Sequence, residues 1–213
     1  MKFDWAHFAA KSDAWWNPPE PDLFVKSQLE TIQRFLLDHK PGRVLEVGVG
    51  RGRATPWIHG DWFYLGLEVN PRLLRWAHSR SCAPLILASG THLPLQKNSF
   101  NMVVAFDVFM HIWERPTFLR ECRRVLTTDG SLIFNFLRRF SPGWRQYTLA
   151  RFLHPHRMWR TRDRRFDTKG EIELLLADSG FSPEFSMAET SVPITFAQAA
   201  RKRSRSSSIG GHV

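Results

Sequence analysis

Three glycines on alternate positions, in the run Val44-Leu45-Glu46-Val47-Gly48-Val49-Gly50-Arg51-Gly52, constrain this chain more than any other feature. An apolar run that breaks into Gly-x-Gly-x-Gly reads as a buried strand ending in a tight turn before a helix. Glycine alone takes positive φ without strain and lets a ligand approach the backbone. An ordinary strand-to-helix turn uses the same residues, so a second feature is needed to separate the two readings. Glu68 supplies it, closing the next apolar run 22 residues beyond Glu46. An acid about 20 residues past a glycine turn is placed to accept hydrogen bonds from both ribose hydroxyls of a nucleoside cofactor.

The rest of the chain keeps the same rhythm. Apolar residues recur at helical spacing over residues 22–38 and stop at Lys40-Pro41-Gly42, which predicts a helix leading into the first strand at residues 43–47. Further strands are expected at residues 62–68, 84–88, 100–106 and 131–136, the last after a turn at Thr127-Thr128-Asp129-Gly130. Helices are expected at residues 71–80, opened by Pro71, and at 115–126 and 168–179. Residues 181–187 and 192–200 read as a closing pair of strands around a tight turn at 189–191. Strands alternating with helices predict an α/β fold: a doubly wound, seven-stranded, mostly parallel sheet with right-handed crossovers and a C-terminal antiparallel hairpin. The expected organisation is one domain over residues 1–200, with a helical cap at 1–40 and an insert at 137–166. Residues 201–213 offer almost nothing to bury and are expected to be a flexible basic tail.

The glycine string is Glu-x-Gly-x-Gly-x-Gly, not the Gly-x-Gly-x-x-Gly of dinucleotide-binding turns, and it resembles motif I of the class I S-adenosylmethionine-dependent methyltransferases. Leu65-Gly66-Leu67-Glu68-Val69-Asn70-Pro71 is similar to that family's "GxDxSP" strand, with Glu for Asp. Ala88-Ser89-Gly90-Thr91-His92-Leu93-Pro94-Leu95 resembles "GDAxxLPF", and Ser99-Phe100-Asn101-Met102-Val103-Val104 resembles "SFDxVx". Arg120-Glu121-Cys122-Arg123-Arg124-Val125-Leu126, followed by Gly130, is similar to "REahRVLkPGG". The resemblance covers about residues 43–135 and is closest to the small ubiquinone-methyltransferase-like branch known as methyltransferase type 11. It implies a Rossmann-like fold, methyltransferase activity and S-adenosylmethionine (SAM) as cofactor. Residue by residue, it places Glu46, Gly48, Val49, Gly50 and Gly52 near the methionine and ribose and Glu68 on the ribose hydroxyls. Val69, Ser89, Gly90, Thr91 and Phe106 complete the implied cofactor site. The chain departs from the pattern at Ser89 and Asn101, where Asp is common, and at Arg51, where Thr or Ser is common. Arg51 reads either as a contact to the cofactor carboxylate or as a solvated side chain. Ser12-Asp13-Ala14-Trp15 resembles a "YDxW" cofactor-capping segment without its Tyr.

The sulfonium of SAM is already electrophilic, so the protein has chiefly to align the acceptor and exclude water. If the acceptor is a hydroxyl, His111 is the candidate base, because Asp107-Val108-Phe109-Met110-His111 follows the carboxyl end of the fourth strand. Packing or capping is the alternative role for both His111 and Asp107. Residues 137–166 hold nine Arg against the single acid Asp163, interleaved with aromatic residues. Arg138, Arg139, Trp144 and Arg145 are the substrate-side candidates. Three partners suit such a segment: an acidic or lipid-like small-molecule acceptor, a peripheral membrane surface, or nucleic acid. The small-molecule reading leads, since Asp107-Val108-Phe109-Met110 is not the Asn/Asp-Pro-Pro-Tyr motif of amino-methylating nucleic-acid enzymes. The other readings are an RNA or DNA methyltransferase and a catalytically inactive SAM-binding protein.

The formal net charge is +10, and Arg201, Lys202, Arg203 and Arg205 carry four of those charges in the tail. Cys82 and Cys122 form neither a disulfide framework nor a zinc pattern, and His154-Pro155-His156 lacks further ligands, so no metal is expected. With no signal peptide and no run approaching the ~20 apolar residues of a membrane span, a cytoplasmic location is expected.

Overall fold

The computed structural model describes Glu30 and residues 40–52, 62–153, 164–186 and 194–201. The expected helix at 22–38 apart from Glu30, the segment at 12–15, the helix after the glycine turn, the turn at 189–191 and the tail beyond Arg201 lie outside the described residues. The strands are β1 (Arg43–Val47), β2 (Phe63–Glu68), β3 (Leu85–Leu87), β4 (Phe100–Ala105), β5 (Leu126–Arg138), β6 (Phe166–Asp167), β7 (Phe181–Ser186) and β8 (Ile194–Arg201). The helices are α1 (Pro71–His78), α2 (Arg115–Val125), α3 (Pro142–Leu153) and α4 (Lys169–Asp178), with a 3₁₀ turn at Phe109–His111. None of them is long and apolar enough to cross a membrane.

The seven expected strands follow the path β3-β2-β1-β4-β5-β8-β7, and an eighth, the two-residue β6, pairs with β5 off that path. Pairings within β3 to β5 are parallel, whereas β8 runs antiparallel to both β5 and β7. From β1 the chain winds outward to β2 and β3, then returns to the other side of β1 as β4. The carboxyl ends of β1 and β4 therefore flank a crevice, the position where open α/β sheets bind ligands.

Alternation along the strands divides the interior into two layers. Leu45, Val47, Val103, Ala105, Leu132, Phe134 and Phe136 join the larger core with Phe118, Leu119 and Cys122 of α2 and Ile172 and Leu176 of α4. Their neighbours Val44, Met102, Val104 and Ile133 face the other way, with Tyr64. Phe109 anchors the 3₁₀ turn in the larger core, its ring 4.5 Å from that of Phe134. The expected turn at residues 127–130 occurs as an irregularity inside β5: Phe100 pairs with Leu126, but Met102 next pairs with Ser131.

The motif at residues 120–126 has a packing role as well. Arg124 reaches the carbonyls of Leu93 and Leu95, and Glu121 accepts from the Leu93 amide, so α2 holds the segment after β3 in place. Asn101, one of the departures from the family pattern, sits at the opposite edge from the crevice, where its Oδ1 accepts from the Arg43 amide at 2.8 Å. Another difference is at the C-terminus. Arg201, counted with the tail on composition, closes β8: it pairs with Phe181 and donates to Asn98 Oδ1 and the Leu126 carbonyl.

Residues 139–167 leave and re-enter the sheet at one point. β6 pairs with Leu137 and Arg138, and the Arg139 amide donates to the Asp167 carbonyl at 2.8 Å. Asp167 is also buried against Arg115 at 2.6 Å. Burial pushes the Arg115 guanidinium below its ordinary pKa, while Asp167 pulls it back up. Thr168 next caps α4 in a reciprocal arrangement with Glu171. Asp167→Ala strands a buried cation, so it is expected to cost about 3–5 kcal/mol of stability. Thr168→Ala, which removes only a cap, should cost about 1 kcal/mol. Urea denaturation of both variants checks that ranking.

Candidate functional site

The turn after β1 is stitched to β2. Gly48 and Val49 both donate to the Leu67 carbonyl, at 2.7 and 3.1 Å. Gly48, Gly50 and Gly52 take positive φ of 77°, 59° and 77°, the conformation that the alternate glycines foretell. At Gly48 a Cβ would drive into Val108, whereas beside Gly50 nothing among the described residues lies within 4 Å of where a Cβ would stand. Gly50 thus presents bare backbone to the crevice.

Glu68 faces that backbone. Its Oε2 accepts from the Gly50 amide at 2.8 Å, and Oε1 accepts from the amides of Val69 and Asn70, each at 2.9 Å. Burial raises the carboxyl pKa, and the three amides pull it back down. Each carboxylate oxygen can accept more than one hydrogen bond, so acceptor capacity remains after this fixing. Asn70 then caps α1 through the amides of Arg72 and Leu73, and Val69 leaves an apolar side chain half exposed beside the acid.

Glu46 is buried one strand over and accepts from the Tyr64 hydroxyl at 2.5 Å. Ser89, Gly90 and Thr91 follow β3 at the same edge. The hydroxyls of Ser89 and Thr91 share a hydrogen bond of 2.9 Å, and a Cβ on Gly90 would come 3.0 Å from Val47. Phe106, just past β4, packs on the smaller core. The cofactor-side residues expected from the sequence thus gather at the carboxyl ends of β1, β2, β3 and β4.

Arg51 does not follow the solvated reading. It is buried, with its guanidinium 3.7 Å above the Trp76 ring, a cation–π contact strengthened by exclusion of water. Burial, then Arg80 and Arg72, lower its pKa. Trp76 carries no sequence signal for this role, since it lies in α1 at ordinary helical spacing.

On the β4 side, Asp107 holds a positive φ of 58°, costly for a residue with a Cβ. Asn135 of β5, fully buried, explains how it persists: its Oδ1 accepts from the Asp107 amide at 2.7 Å, and its Nδ2 donates to Asp107 Oδ1 at 3.0 Å. Asn135 was legible as a polar residue within an apolar strand, although its partner was not. His111 ends the 3₁₀ turn, and burial together with Arg164 lowers its pKa to about 4. A buried imidazole near a cation resists protonation, so this histidine is neutral and weakly basic where it stands.

The substrate-side candidates divide. Trp144 is half buried in α3, edge-on to Phe140 at 5.2 Å, and Arg145 is exposed. Arg139 instead donates to the Phe166 carbonyl at 2.7 Å and pairs with Glu171, which makes it part of the clasp at the base of the insert. Arg138 is half buried at the end of β5. His154, His156 and Trp159 lie outside the described residues.

The His111 shift has a definite sign. Between pH 6.5 and about 4 the unfolded chain binds this proton and the native chain does not, so the residue's contribution to stability falls as pH drops through that window. Against His111→Asn, the wild type should lose relative stability from pH 6.5 to 4, read by urea denaturation at each pH.

Comparison with known proteins bears on this edge directly. A family model described as "Methyltransferase domain" matches residues 45–134, the span from β1 into β5. An uncharacterized protein of Mycobacterium tuberculosis is 31% identical over 173 residues, covering 81% of this chain and 58% of that protein. A "Probable S-adenosylmethionine-dependent methyltransferase" of the same species is 36% identical over 143 residues, covering 65% of this chain and 48% of its own length. The chain thus spans about half the length of these relatives. Among solved structures, magnesium protoporphyrin IX methyltransferase from Synechocystis with bound S-adenosylhomocysteine superposes with a TM-score of 0.73 at 16% identity, covering 92% of this chain and 97% of that one. The span from β1 into β5 thus matches the methyltransferase domain model, and the sheet that carries the glycine turn and Glu68 has the fold of the methyltransferase structure on which it superposes.

Proposed function

We propose that this chain transfers the methyl group of SAM to a small-molecule acceptor bound under the segment between β5 and α4. The observation that carries the cofactor half of this reading is the open face of Gly50 set against the Glu68 carboxylate. An anionic acceptor beside bare backbone suits a ribose, whose two hydroxyls are donors and whose ring needs close approach.

When bound, SAM supplies a methyl group already activated on a sulfonium sulfur. The protein's task is then to hold the nucleoside, aim an acceptor lone pair in line with the methyl carbon, and keep water away. In this reading Glu68 holds the ribose, while Val69 and the Ser89–Thr91 turn border the base. Glu46 and the glycine turn border the methionine end. A general base works best with a pKa near the working pH, so His111, neutral and weakly basic, orients the acceptor rather than deprotonating it. The acceptor accordingly arrives as a competent nucleophile or loses its proton to solvent. Trp144 and Arg145 support an acceptor with an apolar body and an acidic group.

Calorimetry with S-adenosylhomocysteine tests the cofactor site. One molecule should bind per chain; Gly50→Val should abolish binding, and Glu68→Ala should weaken it by about 1–3 kcal/mol, the scale of a hydrogen bond to a charged group. Unchanged affinity in both folded variants would overturn the assignment. For the acceptor, methylated products formed from a metabolite extract and SAM are identified by mass spectrometry. Combining Trp144→Ala with Arg145→Gln should then raise the acceptor KM, leaving S-adenosylhomocysteine affinity within about twofold, because remote groups act on the ligand they touch.

A further inference from the structure

At the amino edge of the sheet, opposite the cofactor crevice, lies an open groove of about 640 Å³. Lys97, Arg120, Arg123, Arg124 and Arg201 line it, and Asp178 is the only acid in its wall among the described residues. These residues come from distant parts of the chain. Lys97 precedes β4, the three arginines lie on the last turns of α2, and Arg201 ends β8. Two of the cations are held rigidly. Arg124 is fixed by Glu121 and two backbone carbonyls, and Arg201 by Asn98 Oδ1 and the Leu126 carbonyl at 2.6 and 2.7 Å. Among the described residues the partners of Arg201 there are neutral, so they leave its charge uncompensated.

Arg123 lies across Gly180, where a Cβ would come within 2.6 Å of its Nε. That Nε is screened from solvent and donates no hydrogen bond. Cations at helix C-termini offset the helix dipole, which accounts for one at the end of α2 but not for a ring drawn from three elements. The sequence beyond Arg201 continues with Lys202, Arg203 and Arg205.

We infer that this groove is a second binding site, for a small molecule bearing two or more phosphate groups. Five cationic side chains around one hollow, two of them fixed, suit several anionic oxygens, and the preorganised guanidiniums lose little entropy on binding them. No aromatic ring lines the groove among the described residues, so it offers no platform for stacking nucleobases. Its concavity suits a compact ligand better than a flat lipid surface. β4, six residues long, separates the two edges by about 20 Å at about 3.3 Å per residue. The groove is therefore a site distinct from the cofactor crevice.

The test is a titration of the full chain, saturated with S-adenosylhomocysteine, with sodium tripolyphosphate at low ionic strength. Saturable one-to-one binding is expected, weakening as salt is raised. Lys97 and Arg120 are exposed, so the double variant Lys97→Gln/Arg120→Gln should fold normally and bind at least about tenfold more weakly, a change of about 1.4 kcal/mol. Arg138→Gln/Arg145→Gln, at the other edge, should bind as the wild type does. Non-saturable binding, equal loss in both double variants, or orthophosphate binding as tightly as tripolyphosphate would overturn the inference. So would a single-stranded RNA oligonucleotide that binds more tightly with the same variant sensitivity, which would make the groove a nucleic-acid track.

Discussion

The three hydrogen bonds to the Glu68 carboxylate are the interaction on which the site depends. One comes from the glycine turn after β1, and two come from the start of the segment leading into α1. A single side chain thereby fixes the spacing between two loops that belong to different strands. Among the described residues its charge is held in a buried setting by amides instead of a cationic partner, which leaves the carboxylate free to meet neutral donors. A lysine or arginine in their place would hold Glu68 equally well and compete with any hydroxyl arriving there.

The opposite wall of the crevice is held by a different device. Asp107 sits in the left-handed region, and two hydrogen bonds to buried Asn135 compensate the strain. Both walls thus place polar side chains within apolar strands, where unpaired groups are costly, and each is satisfied by a partner on the adjacent loop. The 3₁₀ turn that follows is seated by Phe109 in the aromatic core, so the crevice rests on dense packing rather than on loop geometry alone.

Much of this was legible in the sequence, for physical reasons that differ by element. β1, β2 and β4 announced themselves because strands buried on both faces read as unbroken apolar runs, and the alternate glycines required positive φ wherever the turn fell. What escaped notice were features with no local signature. β6 is two residues long and exists only because β4 ends at Ala105, leaving the edge of β5 open beside Leu137 and Arg138. Arg51 is buried by a ring 25 residues away in sequence, and Arg139 belongs to a clasp whose other half comes after the insert. Arg201 was grouped with its basic neighbours by composition, although pairing with Phe181 makes it part of the sheet. His111 was placed at the correct edge, but its depression by burial and Arg164 depends on packing that no linear motif encodes.

The joined ends of residues 139–167 have a consequence for divergence. Because the departing Arg139 amide meets the returning Asp167 carbonyl and the Arg115 ion pair fastens the return, whatever lies between behaves as a cassette hung from a closed hinge point. The entropy of closing such a loop grows only with the logarithm of its length, about 0.6 kcal/mol for each doubling. A descendant of this chain can therefore lengthen, shorten or replace the cassette without renegotiating the sheet beneath.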